Sequence, residues 1–276
     1  MLAGRGLQWV RAQVIALPPH LALSHPAMPD LALMTELASA LGHLRGRPSP
    51  LQDLAGRRFT AHHAKRAARR TLRWPHARPA MLPLVIAGRH LVPNDPDWRR
   101  ARDLLMPEAR RDPEHWLALA GPRDPEALAQ AEALLGTPIP QDAATEVRID
   151  RFARTLMRAY AFGMIRPDFG RVASYGIAFT TCLGFAEWAT RRRRLVPLAQ
   201  MVSCLRLIDP GHDVAPLLAD IIPHQRPDGS FPVTMGHSLQ DQDLAAGNWP
   251  TLMATLALHL ALRKGGHELR PYPLAA

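Results

Sequence analysis

What most limits the folds open to this chain is how little of it can form a strand. Alternating runs of β-branched or aromatic residues are few, and no Asn-Gly or Asp-Gly stands between two such runs, so strands and tight hairpins have almost no local signal. Helix-start signals recur instead. Asp95-Pro96 and Asp124-Pro125 each head an apolar-periodic segment, DPDWRRARDLLM and DPEALAQAEALLG. The Asp can accept bonds from free backbone amides, and the Pro suits the first helical turn. Further helical segments open at Asp30, near Arg58 and at Pro79. Five more follow, RIDRFARTLMRAYAFGMI, GRVASYGIAFTTCLGFAEWATR, LVPLAQMVSCLRLI, HDVAPLLADIIPH and NWPTLMATLALHLALRK. The pattern predicts an all-α protein of about ten helices joined by short Pro-rich connections, a helical-hairpin array.

The helices of the second half are the more apolar. VASYGIAFTTCLGFAEWA carries no charge before Glu187, and a helix without a polar stripe is buried on several sides. The chain of 276 residues is read as a single helical domain over 1–276, with one candidate subdivision at 136–150, where GTPIPQDAATEVRID gathers Gly, Pro and polar residues. No window reaches the roughly 18 uninterrupted apolar residues of a membrane span. The apolar start is split by Arg11 and Pro18-Pro19 and has no small-residue cleavage site, which points to a cytoplasmic protein.

The formal charge is +10, yet only Lys65 and Lys264 are lysines. Such an arginine bias is what GC-rich bacterial coding produces, so the excess matters only where it is concentrated. Residues 57–78 hold eight basic residues and no acid, leaving the rest of the chain a formal +2. Within RRFTAHHAKRAARRTLRW, Arg58, His62, Arg66, Arg69 and Arg73 recur at offsets of three and four and form one helix face. That face either is solvated or binds an acidic peptide or protein segment. The absence of interleaved aromatics and of a helix-turn-helix signature argues against nucleic acid.

Cys182 and Cys204, 22 positions apart in apolar contexts, match no metal or redox spacing and are read as buried free thiols. His62 and His63 are adjacent and so face different ways, and His259 reads as a core histidine. No residue pattern specifies a metal or a cofactor.

The segment Asp209 to Gly266 orders an apolar helix, the turn Gln225-Arg226-Pro227-Asp228-Gly229-Ser230-Phe231, a polar loop, and an apolar helix entered through Asn248-Trp249-Pro250-Thr251. This order resembles the helical repeats of squalene-hopene cyclases and protein prenyltransferase β-subunits, in which a Gln-x-x-(Asp)-Gly-(Ser/Gly)-(Phe/Trp) turn joins successive helices. The resemblance covers about a fifth of the chain and implies an α/α-toroid-like ring. Arg166-Pro167-Asp168-Phe169-Gly170 echoes Arg226-Pro227-Asp228-Gly229-Ser230 sixty residues earlier, and equivalent links between stacked hairpins would lie at the same end of the array.

By the same resemblance, Asp241 and Asp243 occupy the region of a prenyltransferase zinc site, but the cysteine such a site needs is missing. They also fall short of the Asp-x-Asp-Asp acid of class II terpene cyclases, and the chain is poor in the aromatics that steady carbocations. Asp241, Asp243 and His237 stand as candidate catalytic residues in the polar loop. The competing reading is that the two acids cap the following helix. Asp168, Tyr175, Asp228 and Trp249 are candidate substrate-binding residues, and Arg58, Arg66, Arg69 and Arg73 candidate partner-binding ones. Asp168-Phe169-Gly170 is not a kinase motif, because no glycine-rich loop or His-Arg-Asp accompanies it. The expected function is a toroid-like protein of bacterial secondary metabolism that binds or modifies a peptide or hydrophobic substrate in a central cleft. One alternative is a non-catalytic scaffold that takes an acidic partner on the basic helix. The other is an atypical terpenoid cyclase or prenyl-binding enzyme.

Overall fold

In the computed structural model, residues 2–45, 54–236 and 244–261 are described, and all regular structure among them is helical apart from one isolated bridge between Arg194 and Thr234. The elements are α1 (Leu2–Ala16), α2 (Met28–Arg45), α3 (Ala61–Arg73), α4 (Arg78–Gly88), α5 (Pro96–Ala109), α6 (Pro113–Ala120), α7 (Pro125–Leu135), α8 (Glu146–Ala159), α9 (Val172–Arg191), α10 (Leu195–Ile208), α11 (Ala215–Ile221) and α12 (Leu244–Ala261). The Asp-Pro starts behave as their chemistry requires. Asp95 accepts from the amides of Asp97 and Trp98, both at 3.1 Å, and Asp124 from that of Ala127 at 2.8 Å. None of the helices is long and apolar enough to cross a membrane, among the residues described.

The chain divides into two compact units: an N-terminal unit of Arg11–Gly121, and a C-terminal unit that combines Met1–Val10 with Pro122–Ala276. The change-overs fall at Val10–Arg11 and Gly121–Pro122. The Gly- and Pro-rich stretch at 136–150 lies inside the C-terminal unit, where Gly136 ends α7 and the Gln141 amide donates to Glu187 at 2.8 Å.

In the N-terminal unit α3 packs on α4 and α5, and α4 on α2. The face of α3 turned inward is Ala64, Ala67, Ala68 and Thr71, all fully buried. Phe59, Met28, Leu31, Met34 and Leu84 fill the interior around it, and Trp98 of α5 donates its indole N–H to the Val85 carbonyl at 2.8 Å.

In the C-terminal unit α10 is the buried centre, packed by α9, α12, α8 and α11. All but three of its residues are buried, the outcome expected of a helix that is apolar all round. The rings of Phe152 and Phe185 meet edge to face, with centroids 5.5 Å apart. Cys182 and Cys204 are buried and free, as their apolar contexts predict. Burial pushes the Cys182 thiol well above the usual range, a shift that Cys204 beside it reinforces.

After α8 the backbone makes a left-handed turn, with φ of 45° at Ala161 and 55° at Phe162, a conformation that costs a side-chain-bearing residue of order 1–3 kcal/mol. It follows Tyr160, whose hydroxyl is buried without a hydrogen-bond partner among the described residues and whose ionisation is pushed up by burial. Tyr160→Phe removes a desolvated hydroxyl that has no partner among the described residues. It is therefore expected to leave the melting temperature unchanged or raise it; a loss above about 1 kcal/mol would mean that the hydroxyl has a partner.

The turn Gln225–Phe231 binds the start of α1. The Gln225 amide donates to the Leu2 carbonyl at 2.9 Å, and the Arg5 guanidinium donates to the Pro227 carbonyl at 2.7 Å. The loop containing this turn is closed by Gly236 N–H donating to His224 at 3.2 Å, and its Met235 N–H donates to the Arg193 carbonyl at 2.9 Å, beyond the C-terminal end of α9. The Arg166–Gly170 turn leads into the N-terminal end of the same 20-residue helix, about 30 Å away. The two turns thus lie at opposite ends of the unit, which corrects the expectation of equivalent links. The five-residue echo therefore lends the toroid resemblance no support.

Candidate binding surface

Two anchors set the position of α3. At its start, His63 accepts the Thr60 amide at its Nδ1 at 3.2 Å and donates from Nε2 to the Leu21 carbonyl, also at 3.2 Å. Both roles need the neutral ring, in keeping with a pKa that burial lowers against the opposing Leu21 bond. Along its flank, Lys65 pairs with Asp95 at 3.1 Å and Arg69 with Asp97 at 3.3 Å. Burial would raise the Asp95 pKa, but the bonds from Lys65, Trp98 and Asp97 together hold it below the usual carboxylate range.

Because alanines fill the inward face, α3 sits close to its neighbours and its long side chains can only point outward. His62, Arg66, Arg69, Arg70 and Arg73 are all exposed. Arg66 and Arg70 make no ion pair among the described residues. The Arg73 guanidinium lies 5.1 Å from the ring centre of Trp74, which is 45% exposed, and the His76 ring centre lies 5.8 Å from it. Arg58 has a different task from the one its spacing suggests. It precedes α3, and its Nε and Nη2 donate to the Val14 and Ile15 carbonyls at 3.2 and 3.1 Å, capping the end of α1. Arg70 takes its place on the exposed face.

The other candidate residues are not brought together. Asp168 is exposed, and Tyr175 pins the turn beside it by donating to the Pro167 carbonyl and accepting the Phe169 amide at 3.1 Å. Asp228, at the opposite end of the unit, shapes its own turn by accepting the Ser230 amide and hydroxyl at 2.9 and 2.8 Å. Trp249 is half-buried under the Arg154 guanidinium, 4.4 Å from the ring centre. His237, Asp241 and Asp243 lie outside the described residues. Two open grooves flank Ile139. One of about 390 Å³ includes Gly176, Thr180 and Gly184, and one of about 520 Å³ includes Val147, Arg148 and Arg151. Neither is lined by Asp168, Tyr175, Asp228 or Trp249. No group of three or more His, Cys, Asp or Glu side chains is placed to hold a metal ion among the described residues.

Arg70, Trp74 and His76 are the parts of this surface that residue spacing alone misses. The available signal was Trp74 itself, which follows Arg73 directly and stands before a proline.

No protein-family model, curated protein or solved structure matches the chain.

Proposed function

We propose that this protein is a binding module that takes an acidic protein segment on the exposed face of α3. The observation that carries the reading is the row of exposed guanidiniums at Arg66, Arg70 and Arg73, none of them in an ion pair among the described residues, on a helix fixed by its alanine face and by Asp95 and Asp97. Arg66 with Arg70, and Arg69 with Arg73, are like charges one helical turn apart. Each such pair destabilises a helix by about 0.2–0.5 kcal/mol. An anionic partner relieves that repulsion and gains the attraction, so charge that works against the isolated helix favours the complex. Coding bias explains why the residues are arginine, but not why eight basic residues without an acid fall within 57–78.

The reading is tested by titrating the protein with fluorescently labelled polyglutamate at low and at physiological ionic strength. Binding is expected to weaken steeply with salt, because charges at an exposed surface are screened beyond about 8 Å at 0.15 M. Affinity that does not change with salt would contradict an electrostatic surface.

A further inference from the structure

Trp74 deepens this reading, on which the following inference rests. Its N–H donates to the Arg70 carbonyl at 2.9 Å to close the last turn of α3, and Pro75 immediately afterwards opens a short 3-10 turn. A residue before proline has few backbone conformations open to it, and the Arg73 guanidinium and the His76 ring lie 5.1 and 5.8 Å from the centre of the indole, which is nevertheless 45% exposed. An exposed tryptophan beside arginines has the side-chain composition that carries most of the energy at protein interfaces. With its backbone restricted by Pro75, it has less conformational entropy to lose on binding.

We infer that Trp74 and the guanidiniums of Arg66, Arg70 and Arg73 form one docking strip for an acidic peptide segment that carries an aromatic or aliphatic side chain beside its carboxylates. The three arginines advance along the helix axis by about 6 and then 4.5 Å, a spacing that discrete carboxylates on a short peptide can match. Three features favour a peptide over a nucleic acid. Asp95 and Asp97 stand along the flank of α3 on Lys65 and Arg69, where a continuous phosphate chain would meet them and a peptide can present neutral residues. The Arg73 guanidinium over the Trp74 ring competes with a base for that position. Single-strand binding also relies on several aromatic platforms in succession, whereas Trp74 is the one large aromatic side chain in the 57–78 stretch that is exposed.

The test compares polyglutamate, a random glutamate–tyrosine copolymer of the same length, and oligothymidylate as ligands of the full chain at one ionic strength. Wild-type protein is expected to bind the copolymer at least about fivefold more tightly than polyglutamate, the margin an anchoring aromatic contact provides. Trp74→Ala should bring the copolymer down to the polyglutamate level, and Trp74→Phe should keep part of the preference, with helicity unchanged in both. Equal wild-type affinity for the two polypeptides, or a preference that survives Trp74→Ala, would overturn the role of Trp74 and leave the acidic-partner reading standing. Binding of neither polypeptide would overturn both. Oligothymidylate binding more tightly than the copolymer would make the strip a nucleic-acid surface and overturn the inference.

Discussion

Replacing Glu132 by alanine is expected to lower the stability of the C-terminal unit by about 2–3 kcal/mol, the combined effect of losing a helix cap and a charge-assisted hydrogen-bond cluster. The N-cap residue of α9, Arg171, has no side chain able to accept from the first free amides. Glu132, on α7, does so from a distance of about forty residues in sequence. Its carboxylate accepts the Gly170 and Arg171 amides at 2.8 and 2.9 Å and the Ser174 hydroxyl at 2.7 Å, with the Arg171 guanidinium at 3.4 Å. It also brings a negative charge to the helix N-terminus, where the macrodipole favours it. Burial would raise the Glu132 pKa, but the bonds from Ser174, Gly170 and Arg171 outweigh it and leave the folded value below the ordinary one. The sign of the pH effect follows. A depressed folded pKa contributes stability that is fully present above the unfolded glutamate value of about 4.3 and is lost as pH falls through the lower folded value. Thermal melts of wild type, Glu132→Gln and Glu132→Ala from neutral to acid pH check this. Wild type should lose its advantage over Glu132→Gln as the pH drops below about 4. A Glu132→Ala protein within about 0.5 kcal/mol of wild type at neutral pH would show that water replaces the cap.

Gly229→Ala is expected to cost about 3 kcal/mol and to release the start of α1 from the C-terminal unit. The residue has φ +98°, and a Cβ there would stand 2.5 Å from the Arg5 carbonyl oxygen and 2.8 Å from its carbon. Both neighbours are backbone, so relief requires α1 to move, and the bonds from Gln225 to Leu2 and from Arg5 to Pro227 move with it. Gly6 provides the contrast. A Cβ there would stand 2.4 Å from the Thr255 hydroxyl oxygen, which is side chain. Gly6→Ala should therefore be rescued in large part by Thr255→Ala, while no side-chain truncation rescues Gly229→Ala. Hydrogen exchange in residues 2–10 reads the release directly. Protection unchanged by Gly229→Ala would show that the turn does not hold α1.

The helical class was legible because helix starts are local: the caps at Asp95 and Asp124 need only the residue itself and the next three. The docking of α1 on Gln225–Phe231 was not. It joins residues more than two hundred positions apart, and nothing in Leu2 or Arg5 marks them as partners of a distant turn. An Asp-Gly junction such as the one in this turn reports only the local reversal, not what lies against it. Glu132 reads as one more acid on an amphipathic helix until Ser174 and the Gly170–Arg171 amides are placed around it. Gly- and Pro-rich composition such as that of 136–150 also serves turns within a unit, and the two compact units meet along the chain at Val10–Arg11 and Gly121–Pro122. On the candidate surface, the basic face was visible from arginine spacing. The exclusion of Arg58 was not, because it depends on where the end of α1 falls.

The binding account stands on the guanidiniums of α3, and the most direct measurement is polyglutamate affinity of the Arg66→Gln, Arg70→Gln, Arg73→Gln triple variant, with circular dichroism and thermal melts on the same samples. The account predicts affinity at least about tenfold weaker than wild type, equivalent to about 1.4 kcal/mol. Helicity should be unchanged and the melting temperature equal or slightly raised, because like-charge pairs are removed from an exposed face. A triple variant that folds as wild type does and binds polyglutamate with wild-type affinity would contradict it.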